Sequence, residues 1–315
     1  NMIKTRAFVL FEICFLFILT ASSQRVDYEV IPKPLKVETV FSKKFELRSG
    51  MGVVVMKGSE GARRTAGLLC QYVKEQTGIE LHVGEKGDAT MGIVLLLEDN
   101  PSLSTTIDGY ERGGYTIGVS RGGIEITSVT EEGLFHGVQT LRKSMPVVKG
   151  GCNSLEFPYT WIIDSPRFPY RGVHLDSSRH FWSVETIKQY IDLLALHGCN
   201  QFHWHLTDDQ GWRFEVTALP DLARLGSVRE QTVIGRNSGV YDGVSYGGYY
   251  TQEDCREIVR YASERYINVI PEIDMPGHMQ AALHVYPLLG CTGGPYPVWQ
   301  QWGVSDDVLC AGNPA

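Results

Sequence analysis

The chain has 315 residues, with 29 Lys+Arg against 36 Asp+Glu for a formal charge of −7, and 43 % hydrophobic and 21 % charged residues. That balance describes a globular chain of one large or two ordinary domains and excludes a disordered or fibrous one. A mild acidic excess gives no electrostatic footprint for phosphates, so nucleic acid is excluded as a partner.

Lys4 and Arg6 precede an apolar run over 7–19, broken by Glu12, and then Thr20, Ala21, Ser22 and Ser23. A basic start, about a dozen apolar residues and a small-residue exit predict a signal peptide over 1–23. The run is shorter than the ~20 residues of a membrane-spanning helix. The expectation is an exported protein (periplasmic, outer-surface or secreted) with no stable membrane insertion after signal removal. Of the seven cysteines, Cys14 leaves with the signal.

Residues 27–165 read as a small α+β domain. Runs 92–98 (GIVLLLE), 115–119 and 124–128 are β-rich, with Arg121-Gly122-Gly123 as a hairpin turn. Helical spacing aligns Ala66, Leu69, Cys70 and Val73 within 63–76, and Leu134, Phe135, Val138 and Leu141 within 131–143. The paired acids Glu98-Asp99 and Glu131-Glu132 read as a strand end and a helix N-terminus facing the helix dipole. Nothing here gathers reactive groups.

All six tryptophans and seven of the nine histidines lie beyond residue 160. From 166 the pattern alternates. A strand over 172–175 is followed by a helix over 184–197 with Ile187, Tyr190, Ile191 and Leu194 inward, Ser183 as N-cap and Gly198 as stop. A second strand over 199–206 and a polar, Gly/Tyr-rich region over 220–248 come next. Thr251 and Asp254 then open a helix in capping-box fashion, with Ile258, Val259, Ala262 and Tyr266 inward, before a third strand over 267–273. Successive β-α-β units give a parallel sheet, either an open doubly wound sheet or a (β/α)8 barrel. No glycine-rich phosphate turn follows any strand, which weighs against nucleotide binding.

Polar residues cluster where these strands end: Asp176, Arg179 and His180; then His203, His205, Asp208 and Asp209; then Glu272, Asp274 and His278. Parallel α/β folds build sites at the C-terminal ends of strands, where the loops converge. Trp182, Trp212, Tyr249 and Tyr250 beside them suit a sugar ring, with its apolar face and hydroxyl rim, while Trp204 inside a strand reads as core. His203 and His205 project from one face and could share a metal, completed by His174 or Asp208, in a metal-dependent hydrolase. The weightier reading has imidazoles orienting carboxylates, with no metal and no cofactor. Cys70, Cys199 and Cys255 read as buried thiols. Cys291 and Cys310 bracket a Gly-, Pro- and Trp-rich segment and form the disulfide candidate.

Three segments carry a family resemblance: YRGVHLDSSRH over 170–180, HWHLTDDQGWR over 203–213 and PEIDMPGH over 271–278. In this order and spacing they resemble the family 20 β-N-acetylhexosaminidases. The first zone, with GLFHG over 133–137, resembles that family's small N-terminal domain, and CTGGP over 291–295 and CAGN over 310–313 resemble bacterial members. The resemblance implies an α/β fold, a truncated (β/α)8 TIM barrel over 166–315 preceded by the α+β domain. It implies removal of terminal N-acetylglucosamine or N-acetylgalactosamine from a glycan by a retaining, substrate-assisted mechanism, an exception to the two-carboxylate scheme. By the same resemblance Arg171, Asp208 and His278 bind substrate, supported by Asp274, Asp176 and His205. The family's His-x-Gly-Gly-Asp-Glu motif does not occur in the 315 residues. The chain is therefore expected to be the front part of a longer enzyme, inactive and unstable alone. A catalytically dead sugar-binding protein is the alternative.

Overall fold

The computed structural model describes residues 24–57, 59–88, 90–98 and 107–313; the expected signal over 1–23, Cys14 and Asp99 lie outside the described residues. In chain order the first unit comprises β1 (Gln24–Arg25), β2 (Lys36–Arg48), β3 (Gly52–Met56), α1 (Glu60–Thr77), β4 (His82–Gly84), β5 (Met91–Leu97), β6 (Tyr115–Ser120), β7 (Gly123–Ser128), α2 (Glu131–Ser144) and β8 (Ser154–Asp164). The strands form one mixed sheet in the order β1-β8-β6-β7-β5-β3-β4, with β2 also paired to β8. Both helices start where a hydroxyl caps them: Ser59 accepts from the Ala62 amide and Thr130 from the Gly133 amide. Their inward faces, Ala66, Leu69 and Val73 with Leu134, Val138 and Leu141, bury against Ile93, Leu95, Ile117 and Ile126 of the sheet. Each fully buried aliphatic side chain contributes about 1.5–3 kcal/mol relative to exposure.

The second unit comprises β9 (Gly172–Asp176), α3 (Val184–Leu196), β10 (Gln201–Asp208), β11 (Gly211–Trp212), α4 (Pro220–Arg224), α5 (Gln252–Ser263), β12 (Asn268–Ile273) and α6 (Gln280–Val285). Strands β9 and β12 both pair parallel with β10, so His205 lies between Asp176 and Glu272. Helices α3 and α5 cover one face of this sheet through Ile187, Ile191, Ile258 and Ala262 around Phe202 and Trp204. Ser183 caps α3, and the Thr251–Asp254 capping box opens α5. Phe135 of α2 joins that cluster, and the Tyr266 hydroxyl donates to Glu131, so the two units share packing.

Some expectations need correction. Cys199 precedes β10 instead of opening it. Val259, within α5, faces outward at 48 % exposure, and the helix ends at Ser263, which puts Tyr266 beyond it in the left-handed region at φ +58°. No helix of the described residues is long and apolar enough to cross a membrane.

Candidate active site

The C-terminal ends of β9, β10 and β12 meet on one carboxylate. Asp208, at the end of β10, is fully buried. Its Oδ2 accepts from His205 Nε2 at 3.0 Å and pairs with Arg179 Nη2 at 2.7 Å. Its Oδ1 accepts from His278 Nδ1 at 3.1 Å and from the Asp209 amide at 2.6 Å. Burial alone would raise this carboxyl, but the bonds from His205 and the charge of Arg179 outweigh it and hold it below the usual range. Burial likewise opposes charge on His205, yet Asp208 on one nitrogen and Glu272 on the other raise it above the ordinary imidazole value. His205 Nδ1 lies 2.9 Å from Glu272 Oε2, which also sits 2.6 Å from His203 Nε2 and 3.8 Å from His174 Nε2.

Arg179 is held from both sides, by Asp208 and by Asp176 Oδ2 at 2.9 Å. Asp176 Oδ1 also accepts the amides of Ser178 and Arg179, folding the loop after β9 back over the strand end. His278 occupies the left-handed region at φ +57°. Such strain persists only where the surroundings over-determine it, and here the Asp208 bond does so. Asp274 lies 4.0 Å from His278 Nε2 and donates its amide to Thr207 Oγ1. The neighbouring buried Asp209 accepts the amides of Gln280 and Ser305, tying α6 and the 305 loop to the strand end.

Above this floor lies a cavity of about 860 Å³ lined by Asp176, Arg179, His180, Trp182, Arg229 and Trp302, among others. Trp182 is 40 % and Trp302 54 % exposed. The mouth thus offers charged donors below and aromatic faces at the rim. Two buried arginines fix its walls through backbone carbonyls, with Thr232 Oγ1 as a further acceptor for Arg229 at 2.9 Å. Arg213 donates to the carbonyls of Ser178, Ser227 and Gly248. Arg229 donates to those of Arg179 and Gln210. Burial lowers Arg213 to about 10.

Of the residues expected to bind substrate, the structure brings Asp208 and His278 together and leaves Arg171 out. Arg171 precedes β9, at the N-terminal end of the sheet, and its guanidinium donates to Gly198 O at 2.6 Å and Phe168 O at 2.8 Å. Five residues of strand put it roughly 16 Å from the mouth. Arg179, three residues past Asp176, is the cation that joins the Asp208 hub to the cavity, and strand polarity is the signal that points to it. The supporting residues Asp176 and His205 contact the Asp208 hub or Arg179, and Asp274 flanks His278. Trp212 and Tyr250 are buried core, not sugar walls, as is Trp204; Trp182 and Tyr249 stay exposed. Cys291 and Cys310 are free thiols flanking the Gly290–Leu309 bridge, close enough to hydrogen-bond, and no disulfide joins them. Among the described residues, two groups have metal-ligand spacing, His174–His205–Glu272 and Asp208–Asp209–His278. In the first, His205 Nδ1 and Glu272 Oε2 face each other buried without a well-aligned hydrogen bond, while in the second Asp208 and Asp209 accept from His278 and from backbone amides.

Residues 168–315 match the catalytic domain of glycosyl hydrolase family 20, and residues 27–165 match domain 2 of that family. A β-hexosaminidase of Porphyromonas gingivalis is 37 % identical over 96 % of this chain and 38 % of its own length. A β-N-acetylhexosaminidase of Cellulomonas fimi is 33 % identical over 87 % of this chain and 51 % of its own. The solved family 20 β-N-acetylhexosaminidase of Streptomyces coelicolor superposes with a TM-score of 0.75 at 37 % identity, covering 89 % of this chain and 53 % of that one. An N-acetyl-β-hexosaminidase of Streptomyces plicatus, in complex with thio-NAglucal, gives 0.74 at 35 % identity, covering 89 % and 52 %. With this fold and this strand-end site, the chain belongs to glycosyl hydrolase family 20. It comprises a family 20 domain 2 followed by a truncated (β/α)8 barrel, and it spans 38 % of the length of the Porphyromonas relative.

Proposed function

We propose that the protein carrying this chain is an exported β-N-acetylhexosaminidase that releases terminal non-reducing N-acetylglucosamine or N-acetylgalactosamine from glycoconjugates or chitooligosaccharides. The observation that carries this reading is the buried Asp208 hub, which bonds His278 and fixes Arg179 in the wall of a cavity that Trp182 and Trp302 also line. A planar guanidinium fixed on two carboxylates keeps its outer N–H groups aimed at paired sugar hydroxyls. Trp182 and Trp302 supply faces for the apolar side of a pyranose. The names of the Porphyromonas and Cellulomonas relatives support the same substrate class.

In the retaining, substrate-assisted scheme the acetamido oxygen of the sugar attacks the anomeric carbon while a carboxylic acid protonates the leaving oxygen. The same group then deprotonates water. The proposal assigns that acid, and the Asp that orients the acetamide, to chain following residue 315. Arg179 would bind and orient the sugar, and Asp208 would fix both Arg179 and His278. The test is hydrolysis of a chromogenic N-acetyl-β-glucosaminide by the purified full protein, with the anomer released followed by NMR. Release of the β-anomer first supports the reading. No release, or initial α-product, overturns it. The export half is tested by fractionating cells and sequencing the mature N-terminus.

A further inference from the structure

A second cavity, of about 340 Å³, lies between the two units at the N-terminal end of β9, on the far side of the sheet from the mouth. Lys33, Lys143, Arg167 and Arg171 line it, with Asp164 as the carboxylate among them. These charges are not matched. Asp164 is already occupied, accepting the Tyr115 hydroxyl at 2.9 Å and the Leu35 amide at 3.3 Å. Arg171 is committed to two carbonyls and lies 3.6 Å from Glu132. Among the described residues, Lys33 and Lys143 have no hydrogen bond or ion pair, and Arg167 has only the Phe168 ring at 4.8 Å. Burial, opposed by the charge of Asp164, pulls the Lys143 ammonium down to about 8. A half-buried cation with no direct hydrogen-bonded partner is costly, and a bound anion would lower that cost.

The rest of the lining says what kind of anion fits. Leu35, Phe168 and Leu196 give the cavity apolar walls between its cations. The volume sits at the lower end of small-molecule pockets and is ample for more than a single inorganic ion. The three unmatched cations come from three separate places: the segment before β2, helix α2 and the connection between the two units.

We propose that this cavity binds a small organic polyanion, a di- or tricarboxylate, whose separated carboxylates meet Lys33, Lys143 and Arg167 and whose carbon body meets Leu35, Phe168 and Leu196. Binding would link the entry segment, α2 and the connection at once, so the ligand fixes the small domain against the base of the barrel without reaching the sugar site.

The experiment is calorimetric titration of the full protein with citrate and, separately, with inorganic phosphate at constant ionic strength. Wild type is compared with Lys143→Met and with Lys33→Met. Citrate is expected to give saturable heat and to raise the unfolding temperature by mass action. Phosphate is expected to bind at least tenfold more weakly, and each variant to lose at least tenfold in citrate affinity, about 1.4 kcal/mol. Without citrate, Lys143→Met should unfold no earlier than wild type, because an unmatched cation has been removed. Absence of saturable citrate heat, equal binding of phosphate, or citrate affinity unchanged in the variants would each overturn the proposal. Should Lys143→Met not fold, Lys33→Met, at an exposed position, decides alone.

Discussion

His278 and Asp208 lie seventy residues apart in sequence and meet through an Nδ1–Oδ1 bond of 3.1 Å, with His278 in a left-handed backbone conformation that only this packing justifies. With Nδ1 on Asp208, Nε2 faces Asp274 at 4.0 Å. Asp208→Asn keeps the shape but removes the charge shared by Arg179, His205 and His278. We expect kcat/KM to fall by two to three orders of magnitude, roughly 3–4 kcal/mol in transition-state stabilisation. Asp208→Ala should additionally destabilise the fold by about 1–3 kcal/mol, since it removes the buried acceptor shared by Arg179, His205 and His278, although Arg179 keeps Asp176 and His205 keeps Glu272. Steady-state kinetics and urea unfolding separate the two effects.

Arg179 and Arg171 make opposite predictions. Arg179→Lys replaces a fork held on two carboxylates by a point charge, so KM should rise at least tenfold with little change in unfolding. Arg171→Lys loses the bonds to Gly198 and Phe168 at the sheet base, so the unfolding midpoint should fall while KM stays put. A KM effect from Arg171 and none from Arg179 would reverse the placement of the site.

His136 sets an acid limit on stability. It is buried, its Nδ1 donates to Gly113 O at 3.0 Å, and burial chiefly, with nearby Arg171 and Lys143, lowers it to about 4 despite that bond; Glu132 lies 3.7 Å from its Nε2. The folded state thus resists a proton that the unfolded state takes up near the ordinary value of about 6.5. Its share of stability is present above that value and shrinks as the pH drops toward 4, by roughly 3 kcal/mol in all. Unfolding free energies from urea titrations at neutral and acid pH should differ less in His136→Gln than in wild type, by about that amount.

Cys291 and Cys310 should bond when oxidised. They flank a two-strand bridge, and closing a loop of this size stabilises by about 3 kcal/mol. Under oxidising conditions peptide mapping should find the two cross-linked and protected from alkylation, and Cys291→Ser should leave Cys310 reactive. Free alkylation of both thiols in the oxidised folded protein would refute the pairing.

Gly211 is predicted to be irreplaceable. A Cβ there would stand 2.4 Å from the Arg213 guanidinium. Gly211→Ala should cost about 1–3 kcal/mol as the strand end shifts away, measurable as a lowered unfolding midpoint.

The elements legible in the sequence were those with a strong local signal. The capped helices α1, α2, α3 and α5 and the apolar strands β5, β7, β10 and β12 lie within a few residues of their expected places. The 13-residue β2 was not legible, because much of KVETVFSKKFELR stays exposed and has no clean alternation. Short α6 carries too few residues for a period to emerge. At the site, the cluster of 176, 208 and 278 followed from strand ends, which every βα unit turns toward the same side. Arg171 was misplaced because a motif names residue types without saying on which side of the strand each one falls. Trp212 and Tyr250 were misread because aromatics look alike in sequence whether they wall a cavity or fill a core.

Arg213 has a consequence for how this region comes together. A guanidinium buried among the carbonyls of Ser178, Ser227 and Gly248 leaves water only when all three backbone stretches have arrived. Any partial arrangement strands a dehydrated charge, so half-built versions of the pocket wall are driven apart again. One side chain outside the cavity lining therefore makes assembly of the rim all-or-none.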